Sequence, residues 1–139
     1  MEPEQLPATV NTRKDQFHHI IASDESYLIL PLAGREDAVA PGENFYVSFK
    51  GDDGKWGNLI NVGKEINGMR IWGLSSFSPD GKYFFFSAFT RTDYVLIYDK
   101  KMTYSDLQDM TILNPSRGKI DIFWVDAKII ESLRPKAIK

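Results

Sequence analysis

The hydrophobic residues of this chain fall into short runs between polar turns, and the most apolar run covers residues 83–89. Successive side chains of a β-strand point to opposite faces, and in this run neither alternate set is polar. A strand with two apolar faces needs a covering layer on each side, as between the stacked sheets of a sandwich or the blades of a propeller. The run therefore predicts an all-β fold with stacked sheets.

A strong turn signal comes directly before this run. Pro79 fixes φ near the value that the second residue of a type I turn requires, Asp80 can bond its own backbone, and Gly81 suits the exit position. We therefore expect a tight hairpin, with residues 71–77 as the preceding strand. In this interpretation the three turn residues are structural.

Two segments recur along the chain. Residues 23–30 line up with residues 79–86, because each is a polar turn with Asp followed by Tyr and three apolar residues. Residues 44–49 are matched by residues 121–125, each beginning with Asn or Asp and continuing in apolar, mostly aromatic residues. The first offset is 56 residues, which lies in the range of repeated supersecondary units.

The repeats predict two blade-like units of antiparallel strands, at about residues 14–66 and 67–126. The first unit has four predicted strands, at residues 17–22, 26–32, 44–49 and 56–62. The second unit has three predicted strands, at residues 71–77, 83–89 and 121–125, and lacks a fourth. An insertion at residues 90–119 separates its second and third strands.

The segments outside the repeats have their own signals. Residues 1–13 form a polar arm with two prolines, which we expect to be flexible. Within the insertion, residues 94–98 predict an extra strand and residues 104–112 a short helix. Asp126 is predicted to cap a C-terminal helix over residues 126–134.

Composition narrows the function classes. The chain has 139 residues, with 17 basic and 19 acidic side chains and a net charge of -2, so nothing favours nucleic acid as a partner. Without cysteine it has neither disulfides nor thiolate metal ligands. No signal peptide and no apolar run of membrane-spanning length is expected. The compartment is left open.

The residues that could carry chemistry have structural explanations. His18 and His19 are adjacent in a predicted strand, so their side chains would point to opposite faces and not share a metal ion. Asp24 and Asp80 lie in turns, where Asp is favoured for backbone bonding. No nucleophile elbow, phosphate-binding glycine loop or His-Glu-x-x-His pair is present. The sequence therefore predicts no catalytic, cofactor-binding or metal residues.

Aromatic side chains are the remaining candidates for binding. Exposed aromatic faces stack on sugars and on peptide segments. The candidate ligand-binding aromatics are Tyr46, Trp56, Trp72, Tyr94, Tyr98 and Trp124.

Five segments in a fixed order carry a family resemblance: residues 44–49, 53–56, 61–67, 77–83 and 121–130. They resemble the Ser-Pro-Asp-Gly β-propeller repeats of bacterial TolB-like, WD-repeat-like proteins, and most of all the carboxy-terminal part of such proteins. The first unit departs from the motif, with Ala-Ser-Asp-Glu at residues 22–25. The resemblance implies a partial β-propeller with a short helical insertion and a C-terminal helix, and a periplasmic or cell-envelope location for full-length relatives.

The function implied by this resemblance is a non-catalytic binding or scaffold module that recognises protein or glycan. The alternative is an accessory part of a propeller-bearing hydrolase, either a peptidase or a glycoside hydrolase. Propellers close with four to eight blades, so about two blades would be a C-terminal fragment of a longer protein. We expect either self-association or missing blades to cover the apolar faces that two units leave open.

Overall fold

The computed structural model describes residues 2–13, 16, 18–89, 103–105 and 120–136. These residues contain mostly extended segments, two short helices and the helical residues 104 and 105. The elements are β1 (Ile20–Ile21), β2 (Tyr27–Ala33), β3 (Glu43–Phe49), β4 (Ile60–Asn61), α1 (Lys64–Asn67), β5 (Arg70–Phe77), β6 (Tyr83–Phe89), β7 (Ile120–Asp126) and α2 (Lys128–Glu131).

All seven strands belong to one open antiparallel sheet in the order β1-β2-β3-β5-β6-β7, with β4 paired to β3. The all-β class predicted from the apolar run at residues 83–89 is confirmed. The sheet has two halves, β1–β4 and β5–β7, which share a single β3–β5 pair, Glu43 with Ile71. Because this join is so narrow, the halves are free to bend towards each other.

The main core lies where the two halves face each other. The ring of Phe45 on β3 packs edge-on against Phe84 at 5.4 Å and Phe86 at 6.0 Å, both on β6. Ile29 and Val47 join the same cluster and are fully buried. One apolar face of each half is thereby removed from water, which is the main driving force for this bend.

A second cluster covers the other face of β2 and β3. Leu28, Leu30 and Leu32 on β2 point into it, together with Tyr46. Val10, from the N-terminal arm, is only 3% exposed and packs there. The flexibility of residues 1–13 stays a prediction, but this side chain anchors the arm to the sheet.

The strands of the two halves have corresponding bounds. β2 and β6 are both seven residues long and begin with tyrosine, at Tyr27 and Tyr83. β3 and β7 are also seven residues long, beginning at Glu43 and Ile120. The predicted strand positions agree with these to within one or two residues.

Other predicted elements are shorter than expected. The first strand begins at Ile20, because His18 has a φ of 39°, which extended backbone does not allow. The strand predicted at 56–62 is reduced to β4, since Ser48 Oγ and the backbone of Phe49 bond Gly57 and hold this stretch in a loop.

Two further predictions concern helices. The helix expected at 126–134 is regular only over α2, whose Ile130 is fully buried in the main core. Residues 104 and 105 are helical, as predicted. The rest of that helix, the strand expected at 94–98, and both Tyr94 and Tyr98 lie outside the described residues.

The turns repeat one device. In each of four turns an aspartate Oδ1 accepts a hydrogen bond from the backbone N–H two residues later, at 2.9 to 3.2 Å. The four aspartates are Asp24, Asp53, Asp80 and Asp126. The hairpin predicted at Pro79 is confirmed: Gly81 N–H donates to the carbonyl of Ser78 at 2.8 Å, and its φ of 70° suits glycine.

Candidate functional site

One face of β5–β6–β7 is open and strongly apolar; we call it the outer face. Five large side chains define it, and each is at least 40% exposed. They are Trp72, Leu74, Tyr83, Ile122 and Trp124.

Strand pairing explains why these side chains share a face, because residues directly opposite each other in a sheet point the same way. Trp124 pairs with Phe85, and Ile122 pairs with Ser87. On β5 the register shifts between Ile71 and Ser75. Gly73 lies buried within this bulge, with a φ of 56°. Its neighbours, Trp72 and Leu74, both point outwards.

Aromatic contacts fix the orientation of rings on the outer face. Tyr83 and Trp124 meet edge to face with 5.1 Å between ring centroids, and Trp72 meets Phe89 in the same way at 5.6 Å. The guanidinium of Arg70 lies 5.1 Å from the centre of the Phe89 ring. Two aromatic pairs therefore present preoriented rings near opposite ends of the face, which lowers the entropy lost on binding.

The other aromatics predicted from the sequence lie elsewhere. Tyr46 is fully buried in the second cluster, and its hydroxyl hydrogen-bonds Asp37 at 3.1 Å. Trp56 is partly buried over the same cluster, with the Lys50 ammonium 5.6 Å from its ring centre. The structure thus brings Trp72 and Trp124 onto one surface. The sequence signal for Ile122 is its spacing of two residues from Trp124.

A groove of about 590 Å³ lies at one end of the molecule, where the turns of both halves meet α2. Its lining includes Asp24, Asp80 and Asp126, each engaged in a turn. The Ser78 hydroxyl, and then Lys82, lower the pKa of Asp80 to about 2. Burial raises the pKa of Tyr27, on the same groove, to about 12. The Oδ1 atoms of these three carboxylates accept backbone hydrogen bonds, so the aspartates serve the turns.

One further titratable group lies at the join of the two halves. The Glu43 carboxylate lies so close to Gly73 that a Cβ on Gly73 would come within 2.8 Å of the carboxylate oxygen. His18 Nδ1 would lie 3.5 Å from the same Cβ. Burial raises the pKa of Glu43, while His18 acts in the opposite direction. The bulge glycine leaves room for this carboxylate.

In the described part of the chain, no group of three or more His, Cys, Asp or Glu side chains is arranged to hold a metal ion. None of its helices has the length and apolar character needed to cross a bilayer.

No protein-family model matches the sequence, and no significant similarity to a curated protein or a solved structure was found. The resemblance to TolB-like repeats therefore stays a prediction from the sequence motifs.

Proposed function

We propose that this protein is a non-catalytic binding module of two propeller-type units, and that its outer face docks an apolar β-sheet of a protein partner. The observation that carries the proposal is the open surface formed by Trp72, Leu74, Tyr83, Ile122 and Trp124. Large exposed apolar patches mark interaction sites, and tryptophan and tyrosine dominate the energetic centres of protein interfaces.

The chemistry of the partner follows from how the first half of the sheet is covered. Phe45 and Val47 of β3 pack into the core between the halves and are fully buried. The corresponding positions of β7, counted from the first residue of each strand, are Ile122 and Trp124, which are 76% and 61% exposed. Positions that receive a covering sheet in the first half are therefore uncovered in the second.

The same comparison holds for the central strands. Ile29 is the third residue of β2 and is fully buried against the second half of the sheet. The third residue of β6, Phe85, is on the outer face. The partner that fits is another antiparallel sheet with aromatic and aliphatic side chains on its packing face.

A propeller is one assembly in which each sheet covers the next. The Ser-Pro-Asp-Gly turn and the corresponding strand bounds of the two halves support this arrangement for the present chain. Because a fold does not dictate a function, the binding role is argued from the chemistry of the outer face.

Site-specific photocrosslinking in cells that produce the protein would test this role. A benzoylphenylalanine placed at Ile122 lies on the outer face, and one placed at Val39 lies on an exposed apolar position elsewhere. We expect Ile122 to give one defined protein adduct whose crosslinked peptide lies in a β-sheet of the partner. The adduct should disappear when Trp124→Lys is added.

Two results would count against the proposal. Equal crosslinking from Ile122 and Val39 would show that the outer face has no preferred protein partner. Saturable quenching of tryptophan fluorescence by chitin or cellulose oligosaccharides that is lost in Trp124→Lys, without any protein adduct, would assign the face to glycan recognition instead.

A further inference from the structure

We infer that the covering sheet is supplied by a second copy of this chain, so that two outer faces pack against each other in a two-fold symmetric dimer. This inference rests on the proposed function, because it names the occupant of the same face. Three properties of the described residues support it: the opposite side of the molecule is closed, the outer face has sufficient area, and it is almost free of charge.

The closed side decides which kind of self-association is possible. A head-to-tail chain of copies would need a second open apolar face, and the other outward-facing side is that of Leu28, Leu30 and Leu32. Val10 and Leu59 cover this side and are 3% and 9% exposed. Within the part of the chain that is described, only β5–β6–β7 presents a large apolar sheet face. Identical faces must then meet, and such an interface closes at two copies.

The area of the outer face suits a reversible dimer. Its five defining side chains expose on the order of 500 Å², taking 150–250 Å² for a large side chain that is fully accessible. Two such faces would bury about 1,000 Å² together, which is below the roughly 1,200–2,000 Å² of stable interfaces and typical of weak, transient ones. We therefore expect association in the micromolar range.

Among the described residues, charge on the outer face lies only at its two ends. Arg70 pairs with Phe89 at one end of β6, and Asp126 pairs with Tyr83 at the other, about 20 Å away along the strand. Between these ends, the outward-facing residues described on the three strands are uncharged. Two copies can therefore meet across an apolar centre without a row of like charges, which is the main electrostatic obstacle to self-packing.

Sedimentation velocity of the full chain between 1 and 100 µM tests the inference. We expect a concentration-dependent change from a 15.9 kDa monomer to a dimer. Trp124→Lys should weaken dimerisation about 10-fold or more, because it places a charge within the apolar surface that the two copies bury. Val39→Lys, at a site that is 45% exposed but off the outer face, is the matched control and should leave dimerisation unchanged.

Two further measurements keep the test independent of folding. Circular dichroism should give the same β-sheet spectrum for wild type and both variants, and Ile122→Ser offers a milder change at a side chain that is 76% exposed. Raising the salt concentration from 0.1 to 1 M should preserve the dimer, since apolar contacts are not screened. Dissociation in salt would indicate a charged interface elsewhere and would overturn the inference.

A wild-type chain that is monomeric at 100 µM would also overturn it, as would species that grow beyond the dimer. These results are separable from a failure of the proposed function. A monomer whose Ile122 crosslinks to a different protein leaves the binding role intact and rejects only the second copy, whereas a monomer without adducts rejects both.

Discussion

A single side chain, the amide of Asn67, completes the hydrogen bonding of the central strand β3. Its Oδ1 accepts a bond from Phe45 N–H at 2.7 Å, and its Nδ2 donates to the Phe45 carbonyl at 2.9 Å and to Asn61 Oδ1 at 2.9 Å. Asn67 is fully buried at the end of α1. It therefore acts as a surrogate strand residue at the place where β4 stops.

Replacing Asn67 by Leu should destabilise the protein by about 1–3 kcal/mol, because the buried N–H of Phe45 loses its acceptor. Urea unfolding followed by circular dichroism would measure this loss. Asn58→Leu, at an exposed position, is the control and should change the free energy of unfolding by less than about 0.5 kcal/mol. Equal effects at both positions would contradict the role assigned to Asn67.

Tyr27 makes the free energy of unfolding fall as the pH becomes alkaline. Burial raises its pKa to about 12, with smaller contributions in the same direction from the charges of Glu131 and Asp24. In the unfolded chain a tyrosine ionises near pH 10. The contribution of Tyr27 is therefore complete below pH 10 and is lost as the pH rises towards 12, because the unfolded state releases its proton first.

We expect Tyr27→Phe to reduce the fall in unfolding free energy between pH 9 and pH 11. Asn58→Leu, at an exposed position whose side chain does not titrate, should leave that fall unchanged. Urea midpoints of the two variants at both pH values provide the comparison. A Tyr27→Phe profile parallel to that of the wild type would show that this hydroxyl does not titrate in the window.

At the scale of elements, α2 ties the end of the chain to both halves of the sheet. Ile130 is fully buried in the main core. Arg134, just beyond the helix, lies with its guanidinium 4.5 Å from the Phe49 ring centre, and it donates to Ser26 Oγ at 3.3 Å. Glu131 accepts two further bonds from the same guanidinium. A four-residue helix of this kind depends on packing for its stability.

Ile130→Ala should cost about 2–4 kcal/mol, since it removes buried methyl groups and leaves a cavity between the halves. Lys128→Ala, on the exposed side of the same helix, should cost little. Thermal melting of the two variants would check the difference. Similar melting temperatures would mean that α2 is not needed to close the core.

The strands could be predicted because their signals are local. Short apolar runs and the turn at Pro79 are sufficient to place β5 and β6, and apolar runs between polar turns also place β2, β3 and β7. Other features depend on distant contacts. The bulge at Gly73 adjoins Glu43, and the end of α1 is fixed by the bonds between Asn67 and Phe45. No spacing rule along the sequence reports such pairings.

The candidate surface was predictable only in part, for the same reason. Trp72 and Trp124 are singled out by residue type, but the sequence does not say that they share a face while Tyr46 is buried. That outcome depends on which face of each half is buried when the two halves bend towards each other. The bend places Phe45 against Phe84, two residues that are 39 positions apart.

For the whole molecule, the N-terminal arm controls how many apolar faces are available. Val10→Asp would place a charge in the second cluster and should displace the arm from β2. A molecule with two open faces is expected to form open-ended assemblies instead of stopping at a dimer. Light scattering should rise with concentration for this variant. Leu6→Asp, in an exposed part of the same arm, should behave like the wild type.

The bonds between Asn67 and Phe45 also have a consequence for motion. The amide hydrogen of Phe45 is held by a side chain at the end of a four-residue helix, so its exchange with solvent deuterium requires only that α1 swing away. Amides bonded between β2 and β3 exchange only when the strands themselves separate. The exchange rate of the Phe45 amide hydrogen thus reports local opening at the join between the two halves, independently of global unfolding.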